Sequence, residues 1–261
     1  MNANKTNNQL IQLYEKYYPV LSEKIVKFNK SMDLQSKQKA ANPLLLQVND
    51  EYTNADLKIM IFGQEAVDWG GTELREIKKT NEMYFVPIMQ EKNIVNLLCQ
   101  FYGGFFLSGK CYKYTRGFWG QMKKIKNQLA EKMPHKKTAY LYNNVLKISK
   151  SEWGKPSREI IDIEKTQFNV IEKEIQIVKP DVLLFFSGPN YDGEIELTFK
   201  NSNILKAEQS IVEPFKLREF RKFDIANMPP AFRTYHPNCR LKNKQRYYNT
   251  LVDKICEMYN I

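Results

Sequence analysis

Residues 57–62 read LKIMIF, apolar but for Lys58, and GQEAVDWGG follows at once, replacing aliphatic side chains by an amide, acids and glycines. The pattern predicts a buried strand that ends in a polar turn. Three later runs share it. TAYLYNNVL at 138–146, DVLLFFSG at 181–188 and AFRTYH at 231–236 are short, rich in β-branched, aromatic or leucine residues, and close on polar residues or glycine. Elsewhere the apolar positions recur at helical spacing. Leu10, Ile11, Leu13, Tyr14, Tyr17, Tyr18, Leu21 and Ile25 make the first thirty residues an amphipathic helix, interrupted or kinked near Pro19. Helical patterning returns at 93–102, 120–132 and 163–178, the last ending before Pro180, and Leu251, Val252, Ile255, Cys256 and Tyr259 mark one face of a C-terminal helix. Residues 31–54 are irregular apart from NPLLLQV, and 194–212 reads as a hairpin, with EIELTF and NILKAEQSIV as its sides.

A strand that follows a helix is the sign of a parallel sheet, so the expected fold class is α/β with helices on both faces. Residues 1–54 are then an N-terminal helix and irregular extension packed on the core, and 55–261 the α/β domain.

Composition narrows the partners. With 43% hydrophobic and 13% aromatic residues among 261, the chain fills a sizeable core. Its 40 basic residues against 29 acidic ones leave +11, which favours an anionic partner, nucleic acid ahead of a membrane surface. No run approaches the eighteen apolar residues of a membrane span, and the N-terminus lacks the pattern of a signal peptide, so the expected location is cytoplasmic. Cys99, Cys111, Cys239 and Cys256 are too widely spaced for a CxxC pair and read as reduced thiols, with no metal expected. Neither GxxxxGKS/T nor GxGxxG occurs, so a nucleotide-binding enzyme ranks last and no cofactor is expected.

Ligands of open parallel sheets bind outside the carboxyl ends of the strands. Polar residues collect there: Gln64, Glu65 and Asp68 after the first strand, Asn143 and Asn144 in the second, His236 and Asn238 after the fourth. These residues also carry a resemblance. GQEAVDW resembles the GQDPYH motif of uracil-DNA glycosylases, LYNNVL their LLLNAVL strand and YHPNCRL their HPSPLS loop, in the same order, so the chain resembles a divergent member of that superfamily over roughly residues 55–257. The resemblance implies a three-layer α/β/α fold around a central four-stranded parallel sheet, and an enzyme that flips a uracil or related pyrimidine from DNA and hydrolyses its glycosidic bond. It implies Glu65 or Asp68 as the carboxylate beside the sugar, His236 as the donor to the base carbonyl, Asn143 as the amide that reads the base, Gln64 as a base contact, and Phe85 or Tyr84 as the stacking aromatic.

The residue types suit that reaction. A base inside a duplex must be extruded before it is attacked. As the bond breaks, the sugar gains positive and the base negative charge, which a carboxylate and a hydrogen-bond donor stabilise.

Departures from the family pattern keep a second reading open. Glu65 stands where the family has aspartate, and displacing a carboxylate by about 1 Å costs on the order of 10²-fold. Ala66 and Val67 replace the motif's proline and tyrosine, which opens the pocket toward thymine or 5-modified pyrimidines. Arg240 occupies the position of the family's wedge leucine, with Leu241 next to it. The alternative function is therefore a nucleic-acid-binding protein of the same fold with weak or no hydrolysis. Two basic regions serve both readings: 110–137, with nine Lys or Arg against one acid and including Lys113 and Arg116, and 216–246, with nine against two. The expected partner is DNA, single- or double-stranded, bound by a monomer. Trp69 reads as packing.

Overall fold

A computed structural model of the chain describes residues 2–33, 36, 38–66, 69, 93–200, 202 and 212–259. The described elements, in chain order, are α1 (Ala3–Lys30), β1 (Ala40–Pro43), α2 (Asp50–Thr53), β2 (Leu57–Glu65), α3 (Ile94–Tyr102), α4 (Gly117–Lys132), β3 (Thr138–Leu146), β4 (Ile148–Lys150), α5 (Arg158–Gln167), α6 (Ile171–Val178), β5 (Val182–Phe185), α7 (Asp192–Thr198), β6 (Phe220–Phe223), β7 (Ala231–Thr234) and α8 (Gln245–Met258).

The main sheet has five strands in the order β3-β2-β5-β7-β6. Four are mutually parallel, and β6 closes one edge antiparallel to β7. The parallel strands are the four apolar runs, buried throughout along β5 and β7 and nearly so along β2 and β3. A residue's parity on β3 decides which layer it faces. Asn143 meets Glu174 of α6, whereas Tyr142 packs against Phe118 and Trp119 of α4, so helices cover both faces of the sheet. The free edge of β3 is satisfied by side chains: the Tyr102 hydroxyl donates to the Tyr142 carbonyl and accepts from its N–H, both at 3.0 Å.

Helix α1 runs unbroken through Pro19, whose exposed ring removes one backbone donor from the helix's outer face. Its apolar stripe, Leu10, Tyr14, Tyr18, Leu21 and Ile25, is buried in the same core as the sheet, against α3, α5 and α6. Several expectations change. NPLLLQV begins as strand β1, paired antiparallel with β4 in a separate two-stranded sheet. The helix expected over 163–178 is two helices separated at Phe168–Val170, where Phe168 buries its ring against Tyr14. EIELTF is not a strand: it lies in α7, whose first turn carries Asp192 and Glu194, acids that favour a helix N-terminus. The partner side of that expected hairpin, within 203–211, lies outside the described residues. Among the described residues no helix is long and apolar enough to cross a membrane.

Candidate active-site cleft

The connection from β2 to β3 runs one way along the sheet and that from β3 to β5 runs back, which places a topological switch point between β2 and β5. At the carboxyl ends of these strands lies a cleft of about 560 Å³. That volume is in the ordinary range for small-molecule sites. Phe101, Phe105, Phe118, Trp119, Tyr142 and Trp69 form aromatic walls, and Gln64, Glu65, Asn144, His236, Asn238 and Arg116 bring polar groups to it.

The end of β2 is fixed by contacts on both sides. Gln64 Nε2 donates to the Ser187 carbonyl at 2.7 Å, tying the strand to the loop after β5. On the other side lies Asn144. In the amide orientation that satisfies its neighbours, Asn144 Oδ1 accepts from the Ala66 N–H at 2.8 Å while Nδ2 donates to the Tyr142 hydroxyl at 2.9 Å. Gly63 is required by this approach: a Cβ there meets the end of the Asn144 side-chain amide at 2.6 Å.

Glu65 is half-buried, and the Tyr191 hydroxyl donates to its Oε2. Burial pushes the carboxyl above its ordinary value, opposed by the Tyr191 hydrogen bond and by Lys155 and Lys150. Lys155 lies over the Tyr191 ring at 4.9 Å and pairs with Glu194 at 2.6 Å, so the hydroxyl is braced from behind.

His236 follows β7. Its ring stacks on Phe118, centroids 5.8 Å apart at 24°, and its Nδ1 accepts from the Asn238 N–H at 3.2 Å. Burial, reinforced by Lys244, lowers its pKa to about 4, so the ring is neutral near pH 7. With Nδ1 accepting, the proton of the neutral ring resides on Nε2, which is then a donor. Lys244 is itself held by the carbonyls of Pro237 and Cys239, which fixes the loop. Gly117, at φ +61°, opens α4 where Asn238 crosses it, and a Cβ there lies 2.4 Å from Asn238 Oδ1.

The structure thus brings Gln64, Glu65, His236, Asn238 and Arg116 to one cleft. It does not bring Asn143. That side chain is fully buried on the opposite face of the sheet, where Nδ2 donates to Glu174 Oε2 and Oδ1 accepts from Lys147 Nζ, both at 3.0 Å. The asparagine at the cleft is Asn144, because adjacent residues of a strand face opposite sides. Lys113, Arg240 and Leu241 are exposed but do not line the cleft. Asp68, Tyr84 and Phe85 lie outside the described residues. Trp69 is packing and wall together, its ring edge-on to Phe101 at 4.9 Å. Sequence reasoning missed Phe101 and Phe105; their spacing of four on adjoining helical turns was the available signal.

Much of the second basic region is consumed internally. Arg233 is fully buried with Asp192 at 2.8 Å, and Arg221 shares the same acid. Among the described residues no three His, Cys, Asp or Glu side chains are placed to hold a metal ion. Compared with known proteins, the chain matches no family model and no curated protein at a significant level.

Proposed function

We propose that the cleft receives a nucleobase extruded from DNA and that the protein hydrolyses its N-glycosidic bond, in the manner of the uracil-DNA glycosylases it resembles. The observation that carries this reading is the meeting of Glu65 and His236, far apart in sequence, on the walls of one aromatic-lined cleft. The aromatic walls offer faces to a flat heterocycle. Glu65, anchored by Tyr191, stabilises the positive charge that develops on the sugar and positions the attacking water. His236 donates from Nε2 to the base carbonyl as that oxygen becomes negative. A neutral imidazole can fill this role with the one proton it keeps, on Nε2. The Gln64 side chain is tied to Ser187, so the base contact expected of this residue falls to its backbone.

One observation favours the second reading, binding without hydrolysis: the Glu65 carboxylate is already engaged by a phenol and half-buried, which restrains it from reaching a water. Single- and double-stranded oligonucleotides carrying uracil, thymine mismatches or 5-modified pyrimidines, scored for strand cleavage after alkali, separate the two. Cleavage at one of these bases supports the hydrolase and identifies its substrate. Tight binding with no cleavage in any of them establishes the binding protein.

A further inference from the structure

Two large aromatic side chains stand in solvent at the mouth of the cleft. Trp153, in the loop after β4, is 80% exposed, and Tyr114, in the segment leading into α4, is 59% exposed, yet both line the cleft. Neither makes a ring contact with another aromatic among the described residues. Among the described residues the remaining exposed large hydrophobics, Val20, Leu197, Leu241 and Met258, carry no aromatic ring and none lines the cleft. The other two tryptophans behave differently: Trp69 and Trp119 pack their rings against Tyr142.

Cations accompany both exposed rings. Arg116, two residues from Tyr114, is exposed and lines the cleft, and exposed Lys113 adjoins the same ring in sequence. Lys150 lies three residues before Trp153 in the chain, and the whole protein carries +11. Flat apolar faces alternating with cations are what an unpaired polynucleotide requires, because its bases stack on rings and its phosphates pair with Lys and Arg. A paired duplex keeps its bases stacked on one another and offers such rings nothing flat.

We propose that Tyr114 and Trp153 are stacking platforms for the unpaired bases that flank the nucleotide held in the cleft, so that the preferred partner is single-stranded DNA. The inference rests on the reading of the cleft as a nucleobase site, though not on hydrolysis there.

The test uses the full chain and a fluorescein-labelled oligo(dT), the same strand annealed to its complement, and inorganic polyphosphate as a base-free competitor. The expected results are tighter binding of the single strand than of the duplex, and quenching of tryptophan fluorescence on binding. Trp153→Ala and Tyr114→Ala should each weaken single-strand binding about ten-fold, the effect of losing one base–aromatic stack. Trp153→Phe should restore most of the affinity while removing the share of the quenching that comes from Trp153. Duplex and polyphosphate binding, and the melting temperature, should stay as in the wild type. Unchanged single-strand affinity in both alanine variants overturns the proposal and points to a protein partner for these rings. Equal weakening toward strand, duplex and polyphosphate also overturns it, since that pattern is electrostatic. The hydrolase reading fails separately: no base release from any substrate, with Trp153-dependent binding intact, removes hydrolysis and leaves the platforms.

Discussion

Replacing Asn143 should damage stability and spare base recognition, the reverse of what its place in the second motif implies. Asn143 belongs to a buried cluster. Lys147 and Glu174 side chains have no exposed surface and approach to 2.7 Å, Tyr14 of α1 donates to Glu174 Oε1 at 2.6 Å, and Asn143 bridges the pair at 3.0 Å on each side. Burial pushes the Lys147 ammonium below its ordinary range, against the pull of Glu174. Asn143→Ala removes one hydrogen bond from each charged partner and leaves both buried, at a cost of roughly 2–3 kcal/mol. Glu174→Ala leaves a buried ammonium without its counter-ion and costs about 3–5 kcal/mol. In a chain of this size these losses lower the melting temperature by roughly 4–12 °C and 6–20 °C respectively. Glu174→Ala combined with Lys147→Met should recover part of the loss, because the uncompensated charge is gone. Thermal melts and urea titrations of the three variants, beside oligonucleotide binding at a temperature where all are folded, provide the readout. An Asn143→Ala protein with unchanged stability and lost base discrimination refutes the assignment.

The pH dependence of stability should carry the signature of His236. Its folded pKa is near 4 against 6.5 ordinarily, so between those values the unfolded chain binds more protons and stability falls as pH drops. The full contribution is about 3 kcal/mol, present above pH ~6.5 and lost as pH falls through ~4. Urea titrations across that window should show a shallower decline for His236→Gln, and an identical decline contradicts the burial of a neutral ring. For catalysis the sign at Glu65 is set by the need for an ionised carboxylate. Tyr191→Phe removes the donor that holds the Glu65 pKa down, so the acid limb of a kcat–pH profile should move to higher pH while the fold is retained. An unmoved acid limb argues that Glu65 takes no part.

The four parallel strands were legible because a strand covered on both faces must be apolar along most of its length, and IMIF and VLLFF are. Strand β6, FRKF, was not: it is short, lies at the edge, and carries two adjacent cations, one of which, Arg221, pairs with Asp192, a partner that only the fold supplies. The site was legible at its two ends, where glycine, amide, acid and imidazole follow apolar runs. Its middle was misplaced by one residue. Tyr142-Asn143-Asn144 presents two asparagines in succession, and nothing in the linear pattern says which faces the cleft until Tyr142 is packed against α4. The walls were hidden for a different reason. Phe101 and Phe105 have the composition of core residues, and only the packing of α3 and the turn after it brings one side of them to an opening.

Hydrolysis of a glycosidic bond is tested most directly by free base in solution. With a uracil-containing single strand and excess protein, chromatography of the supernatant should detect uracil released by the wild type, and His236→Ala, lacking the donor to the base oxygen, should release it some 10²–10³-fold more slowly. Equal release by both proteins, or none from any pyrimidine substrate that binds, contradicts the account.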